Sequence, residues 1–324
     1  MHIKIGVIMD PIQSINIKKD STFPILLEMQ KRKYIIFYME IKDLYWKKGE
    51  TYSESKILHV YNNKNKWFKF IEKKEIKLSD LNVIFMRKDP PINLEFIYAT
   101  YLLEFAEKKG VFIFNKPSSL RNCNEKIFTC NFKNLIPETM ITKKIKNILN
   151  FLQEHKNIII KPLNEMGGAS VFKICEKDVN TIAILENMTH NESKSCMIQK
   201  FIPEIKDGDK RILVIDGIPI PICLARIPKN NEIRGNLARG GKGKIEKLNE
   251  HDQKIIKKIS PILKKNGLLF VGIDIIGKYL TEINITSPTC IQEIQKEYHI
   301  SIPKIIVDCI EKKINQLKIK NNEI

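Results

Sequence analysis

Gly272-Ile273-Asp274-Ile275-Ile276-Gly277-Lys278-Tyr279-Leu280-Thr281-Glu282-Ile283-Asn284-Ile285-Thr286-Ser287-Pro288 is the stretch on which the fold of this chain turns. Its two apolar runs are broken by Gly277-Lys278, a turn dipeptide, so the segment is expected to fold as an antiparallel hairpin. Side chains alternate faces along a strand, which puts Glu282 and Asn284 on one face and brings Asp274 near Glu282 across the turn. Oxygen donors without imidazole suit a hard cation such as Mg²⁺ rather than zinc. The same alternation also describes a hairpin whose polar face simply meets water. Segments upstream bear on the choice.

The chain has 324 residues, 43% of them hydrophobic, enough for a sizeable core and two or three lobes. Lys and Arg number 55 against 37 Asp and Glu, a formal charge of +18. Such a balance ordinarily suggests nucleic acid or a membrane surface. Here the excess is mostly Lys spread along the whole length with Ile and Asn, and no zinc-finger, RNP-type or arginine-rich motif occurs. Compositional drift in an A+T-rich genome accounts for it, and a basic surface also suits an anionic nucleotide. Neither nucleic acid nor membrane is expected as a partner. The seven cysteines are scattered and form no C-x-x-C pair, the pattern of reduced thiols in a cytoplasmic protein. Met1 to Ile8 reads as a strand without a cleavage site, and no apolar run is long enough to span a membrane.

Ile3 to Asp10, a helix around Ser21 to Lys33 and a strand at Tyr34 to Met39 form a β-α-β start. A second unit follows, with a strand at Asn82 to Met86, a helix near Leu94 to Lys109 and a strand at Val111 to Asn115. This alternation predicts a parallel sheet whose ligand groups sit at strand ends, where Asp10 and Arg87 fall. Asp-Pro and Asp-Pro-Pro are equally ordinary loop punctuation. Near Arg121 the pattern changes to helices at Cys123 to Phe132 and Ile145 to His155, then strands joined by long loops. Boundaries are expected near Ser119 and Phe201.

Lys161 follows the β-branched run Ile158-Ile159-Ile160 and precedes Gly167-Gly168-Ala169, small residues that let backbone N–H groups approach phosphate oxygens. This is neither a Walker loop nor a dinucleotide fingerprint, and a plain hairpin uses the same glycines. The link Gln199-Lys200-Phe201-Ile202-Pro203 offers its backbone to an adenine edge if it joins two lobes; otherwise it is core strand. Arg211, at a strand start, faces either the Asp274 strand or solvent. Arg226 to Gly243 is long, polar and glycine-rich, with Arg226, Arg234 and Arg239, and fits a lid over an anion. Ser170 has no nucleophile-elbow context and the six histidines are scattered, so no covalent nucleophile is expected.

In this order, Lys126, Lys161 with its glycine turn, the Gln199 link, Arg211, the lid and Asp274…Glu282-x-Asn284 resemble the ATP-grasp ligases, and more narrowly the bacterial glutathione synthetases. The likeness covers nearly the whole chain, from Met9-Asp10-Pro11 and Met86-Arg87-Lys88-Asp89-Pro90-Pro91, through Cys123-Asn124-Glu125-Lys126 and Arg234-Gly235-Asn236-Leu237-Ala238, to Thr281 to Cys290. It implies an α/β fold: a parallel-sheet pre-ATP-grasp domain over 1–122, then a two-lobed α+β ATP-grasp fold. Its lobes would span 123–202 and 203–316, the second carrying the lid 227–242 and the metal site, with 317–324 as a frayed helical tail. The resemblance further implies ligation of γ-glutamylcysteine and glycine to glutathione, with ATP as co-substrate giving ADP and phosphate through an acyl phosphate, in a homotetramer.

By the same resemblance, Lys126, Lys161, Gly167, Gly168 and Asp209 contact ATP, and Gln199, Lys200, Phe201 and Ile202 receive its adenine. Asp274, Glu282 and Asn284 hold Mg²⁺, with Mn²⁺ as an alternative; Arg211, Arg226 and Arg234 act on the reacting groups; Arg87, Ser287, Pro288 and Thr289 meet the dipeptide. Two positions depart from the family. Asn164-Glu165 stands where Asp-Gly is usual, placing an extra carboxylate near the phosphates and implying weaker ATP binding. Arg239 replaces a small lid residue and alters the hinge or adds an anion contact. The alternatives are another ATP-grasp ligase with a different acceptor, against which the N-terminal match argues, and a non-catalytic nucleotide- or nucleic-acid-binding protein, against which the donor triad argues.

Overall fold

A computed structural model describes residues 2–230 and 232–322 of the chain. Near-continuous apolar runs make the central strands of the first sheet, buried on both faces. Its strands are β1 (Lys4–Ile8), β2 (Ile35–Met39), β3 (Leu44–Lys47), β4 (Glu50–Val60), β5 (Phe68–Lys77), β6 (Val83–Met86) and β7 (Phe112–Phe114). They lie in the order β3-β4-β2-β1-β6-β7, with β5 paired to β4. β1 is parallel to β2 and β6, and β6 to β7, so α1 (Thr22–Lys31) and α2 (Leu94–Lys108) are crossover helices, as the β-α-β pattern predicts. α3 (Pro117–Asn122) leads out of this sheet.

The second sheet is antiparallel: β8 (Thr139–Thr142), β9 (Asn157–Pro162), β10 (Phe172–Cys175) and β11 (Cys196–Lys200), in the order β10-β9-β11-β8. α4 (Ile145–His155) and α5 (Thr181–Thr189) cover one face and enclose a core with Ile158, Ile160 and Ile198. The third sheet is also antiparallel: β12 (Asp209–Ile215), β13 (Ile218–Ile227), β14 (Lys242–Lys247), β15 (Phe270–Ile276) and β16 (Tyr279–Asn284), ordered β14-β13-β12-β15-β16. α6 (Glu250–Lys265) lies between β14 and β15 in sequence, and α7 (Ile291–Glu297) and α8 (Ile302–Asn322) follow β16.

Two expectations are corrected. Of the helix expected over Cys123 to Phe132, only Ile127–Phe132 is helical, as a 3₁₀ turn. The Asn124 side chain accepts from the N–H groups of Lys126 (3.1 Å) and Ile127 (3.0 Å), and the Glu125 carbonyl accepts from Ile283 (2.9 Å), so these residues are committed elsewhere. The tail is not frayed from residue 317, because α8 continues to Asn322; residues 323 and 324 lie outside the described residues. Ile302, Ile306, Ile310 and Ile314 repeat at helical spacing and are buried with Ile5, Val7 and Phe85 of the first sheet. Arg32, which caps the C-terminus of α1, adds ion pairs to Asp308 (2.7 Å) and Glu311 (3.1 Å).

Asn115 joins the first sheet to the third. Its amide donates to the carbonyls of Phe270 and Ile285, both at 2.8 Å, while its carbonyl accepts from Leu269 (2.7 Å) and Phe270 (2.9 Å). A buried amide satisfied on both ends fixes geometry without an orphan polar atom. Among the described residues no helix is long and apolar enough to cross a membrane.

Candidate active site

A cleft of about 860 Å³ opens between the second and third sheets. On β9, Ile158, Ile160 and Pro162 point into the lobe core, and the two-residue period turns Ile159 and Lys161 to the cleft. Lys161 Nζ donates to the carbonyl of Thr281 at 3.3 Å. Lys126 Nζ sits 2.9 Å from the Glu282 carboxylate and donates to the Glu165 carbonyl at 2.7 Å. Both ammonium groups therefore converge on Thr281-Glu282 of β16. Burial pushes the Lys161 ammonium down to about 8, against the pull of Glu282. For Lys126 burial acts the same way, but the Glu282 carboxylate outweighs it and the pKa is raised.

Across the third sheet, Arg211, Asp274 and Glu282 stand abreast on β12, β15 and β16. Arg211 grips Asp274 with Nε at 2.5 Å and Nη2 at 2.9 Å; Arg226 reaches Asp274 Oδ2 at 2.9 Å and also pairs with Asp209. Asn284 Nδ2 donates to Asp274 Oδ2 and to the Gly272 carbonyl, both at 3.2 Å. Burial alone would raise the Asp274 pKa; the two guanidinium groups outweigh it and hold this carboxyl well below the usual range. Asp209 is pushed up by burial and by Asp274, with Arg226 opposing, and its Oδ1 is buried without a hydrogen-bond partner. Arg211 thus faces the Asp274 strand rather than solvent.

The lid spans the β13–β14 connection; Asn231 within it lies outside the described residues. Arg234 Nη1 donates to the Gly168 carbonyl at 3.2 Å and Arg239 Nε to the Gly167 carbonyl at 3.4 Å, so lid and glycine turn meet over the cleft. Glu232 holds Arg234 at 3.0 and 2.6 Å. Gly168 is required twice: its φ is +71°, and a Cβ there would come 2.4 Å from Asn236 Oδ1.

Of the expected residues, Lys126, Lys161, Gly167, Gly168 and the Gln199–Ile202 link line this cleft, together with Asp209, Arg234, Asp274 and Glu282. Arg226, Arg211 and Asn284 adjoin it through Asp274. Arg87, Ser287, Pro288 and Thr289 do not line the cleft. They connect to it through Arg211 Nη1, 3.4 Å from the Thr289 hydroxyl, and Arg87 Nη2, 3.0 Å from the Pro288 carbonyl. Arg87 is buried against Phe85 and Phe270, and its Nη1 has no hydrogen-bond partner. Sequence reasoning quoted Glu125 only within the Cys123-Asn124-Glu125-Lys126 match and gave it no role. Its Oε1 accepts from Ile285 N (2.8 Å), Thr286 N (3.1 Å) and the Thr286 hydroxyl (3.0 Å), pinning the segment after Asn284.

The family model for the ATP-grasp domain of prokaryotic glutathione synthetase matches residues 125–299, and that for its N-terminal domain matches residues 3–121. The chain belongs to the prokaryotic glutathione synthetase family. It is an ATP-dependent ligase that synthesises glutathione. The glutathione synthetase of Buchnera aphidicola subsp. Acyrthosiphon pisum is 56% identical, over 97% of this chain and 98% of its own. That of Escherichia coli K12 is 53% identical, over 97% and 99%. In fold, the chain is similar to the ATP-grasp ligase PsnB complexed with a phosphomimetic variant of its minimal precursor, Mg and ADP, with a TM-score of 0.65, 14% identity, and 96% and 98% of the two chains covered. It is similar also to D-alanyl-alanine synthetase A from Vibrio cholerae, with a TM-score of 0.59, 13% identity, and 97% and 99% covered. An ATP-grasp fold following an N-terminal domain is therefore the architecture of this glutathione synthetase family member.

Proposed function

We propose that this ligase activates the cysteinyl carboxylate of γ-glutamylcysteine as an acyl phosphate in the cleft between the second and third sheets. A carboxylate is a poor electrophile. Transfer of the γ-phosphoryl group to its oxygen, with ADP leaving, supplies a phosphate leaving group. Glycine's amine then adds to the carbonyl carbon, loses a proton, and the C–O bond to phosphate breaks. Lys126, Lys161 and the Gly167-Gly168 turn hold the phosphates, Asp209 lies beside them, and the Gln199–Ile202 link takes the adenine. Arg211, Arg226 and Arg234 bear on the charge that develops, where fixed cations in a dry site act most strongly. The unpartnered Nη1 of buried Arg87 suits a substrate carboxylate, with Ser287, Pro288 and Thr289 beside it.

Asp274, Glu282 and Asn284 fit Mg²⁺, or Mn²⁺ in its place: they are oxygen donors beside two phosphate-facing lysines, and the orphaned Asp209 Oδ1 lies in the same cleft. When bound, such a cation neutralises phosphate charge and aligns the transferring group. The lid keeps water from the acyl phosphate. We assign 1–122, 123–202 and 203–316 as the substrate domain and two ATP-grasp lobes, and by family likeness we expect a cytoplasmic homotetramer.

The observation that carries this proposal is the facing of Lys126 and Lys161 on the row Arg211-Asp274-Glu282 in one cleft. Its test is ADP release from Mg-ATP and γ-glutamylcysteine, with and without glycine, beside Glu282→Ala. Glycine-dependent ADP and glutathione, lost in the variant, are expected. Full turnover by Glu282→Ala would overturn the site, and ADP release without glutathione would overturn the acceptor assignment.

A further inference from the structure

γ-Glutamylcysteine carries two carboxylates and one ammonium, and on the reading above one carboxylate reacts beside the row Arg211-Asp274-Glu282. The other carboxylate and the ammonium share one α-carbon at the far end of the dipeptide. Pro288-Thr289 spans the two ends: the Thr289 hydroxyl meets Arg211 Nη1 at 3.4 Å, and the Pro288 carbonyl accepts from Arg87 Nη2 at 3.0 Å. Arg87 is buried, and among the described residues its Nη1 has no hydrogen-bond partner, which leaves one charge-assisted bond open for an anion. An ammonium on the same α-carbon then needs a carboxylate close to Arg87.

Asp20, which no step above uses, stands there. Its Oδ1 accepts from Phe23 N at 2.6 Å, while Arg87 Nε donates to the Thr22 hydroxyl at 3.0 Å, so carboxylate and guanidinium are anchored to neighbouring residues at the start of α1. Burial pushes the Asp20 carboxyl up, the Phe23 N–H and Arg87 oppose the rise, and Asp89 adds to it. Arg87, Asp20 and Asp89 are one cation against two anions, a balance that a lone carboxylate would worsen and a zwitterion leaves unchanged. The loop is held in place beforehand: Gln292 Nε2 donates to the carbonyls of Ile17 (2.7 Å) and Asp20 (2.6 Å), and Ile291 N donates to the Ser21 hydroxyl (3.2 Å). Little ordering is left for the substrate to impose. Capping α1 accounts for one oxygen of Asp20 but not for its charge, since Asn and Ser cap as well. Resting on the assignment of Arg87 to a substrate carboxylate, we propose that Asp20 binds the α-ammonium of the γ-glutamyl residue, so that the enzyme selects a zwitterionic α-amino acid head group.

The test compares kcat/KM for γ-glutamylcysteine with that for glutarylcysteine, the same molecule without its α-amino group, in the wild type, Asp20→Asn and Glu293→Gln, read as glycine-dependent ADP release. Asn keeps an oxygen to accept from Phe23 N, so Asp20→Asn removes the charge and spares the cap. The wild type should prefer γ-glutamylcysteine by about 100-fold, the scale of one truncated buried charge pair. In Asp20→Asn the preference should shrink to about tenfold or less, through KM for the dipeptide, with KM for ATP and for glycine little changed. If that variant does not fold, Asp20→Ser is read against the same outcomes. A wild type that uses both dipeptides equally overturns the proposal, as does an Asp20→Asn enzyme that keeps the full preference. Glu293 is the other carboxylate that no step uses: its Oε2 is buried without a hydrogen-bond partner, within reach of the charges of Lys19 and Arg211. Loss of the preference in Glu293→Gln but not in Asp20→Asn places the ammonium there and overturns Asp20. A wild type that makes no glutathione from γ-glutamylcysteine overturns the underlying reading of the site, a failure told apart from the others by the missing turnover.

Discussion

Lys161 is a cation whose charge depends on what it faces: with Thr281's carbonyl 3.3 Å away, burial brings its pKa to about 8 despite Glu282. ATP's phosphates favour the protonated form, so binding above pH 8 requires the free protein to take up a proton. Affinity for ATP should fall as pH rises through 8 and 9, approaching tenfold per unit, while staying flat below 7. Calorimetry in buffers of different ionisation enthalpy reads this as proton uptake, and equal uptake at pH 7 and 9 would count against it. Asp274 has the opposite role, anchoring Arg211 and Arg226. Its folded pKa is depressed, so it contributes stability that is present above the ordinary carboxylate pKa and lost as pH falls. Asp274→Asn leaves two buried guanidinium groups short of charge and should cost roughly 3–5 kcal/mol near neutrality. In urea denaturation the gap between variant and wild type should hold steady above about pH 4, the ordinary carboxylate range, and narrow progressively as pH falls below it towards the depressed folded pKa; a constant gap would sink the argument. The spacing of Asp274, Glu282 and Asn284 was legible because a strand has period two. The burial of Arg211 was not, since one charge near a turn carries no sign of which sheet will cover it.

The segment after β16 is held by a side chain distant in sequence. Glu125 Oε1 satisfies the N–H groups of Ile285 and Thr286 and the Thr286 hydroxyl, next to the pairing of Lys126 with Glu282. Glu125→Ala orphans three buried donors, the two N–H groups at roughly 1–3 kcal/mol each, and lets Ser287 to Thr289 move. Its expected signature is a lower melting temperature and a larger rise in KM for γ-glutamylcysteine than for ATP, with Glu125→Gln recovering part of both because its amide oxygen still accepts. Equal rises for both substrates would show that the clamp is not local. The neighbouring glycine turn holds Glu165, which borders the cleft and whose carbonyl receives Lys126. Glu165→Gln should lower KM for ATP by roughly twofold to fivefold without changing kcat, the scale of one partly exposed charge; an unchanged KM would mean that the carboxylate stays clear of the phosphates. Hairpin β15–β16 and the β-α-β units were legible because period and turn chemistry are local. The 3₁₀ segment at Ile127–Phe132 and the continuation of α8 were not: one depends on Asn124 and Glu125 binding outside their own turn, the other on a sheet near the opposite end of the chain.

The three sheets are not equal in how they are held. Ile84 and Phe96 share a core with Ile212, Ile273 and Ile283, and Ile5 and Phe85 share another with Leu213, Phe270 and Ile310, so the first and third sheets are welded along two seams and by Asn115. The second sheet has a core of its own, from Ile148 and Phe151 to Leu185 and Ile198. A lobe with a private core can open without breaking the others, and opening free energies within one protein range from near zero to the global value. Amide exchange followed by mass spectrometry should therefore find β9, β10 and β11 exchanging through an opening smaller than global unfolding, while β1, β6 and β15 exchange together and later. On the proposed seating of Mg-ATP between the second and third sheets, saturating nucleotide should add stability of about RT ln(1 + [L]/Kd) to the second lobe. Its amides should slow accordingly, and those of β1 and β6 change less. If β9 and β15 exchange at one common rate, and ATP slows all three sheets equally, the second lobe is not an independent unit and the division at residues 123–202 fails with it.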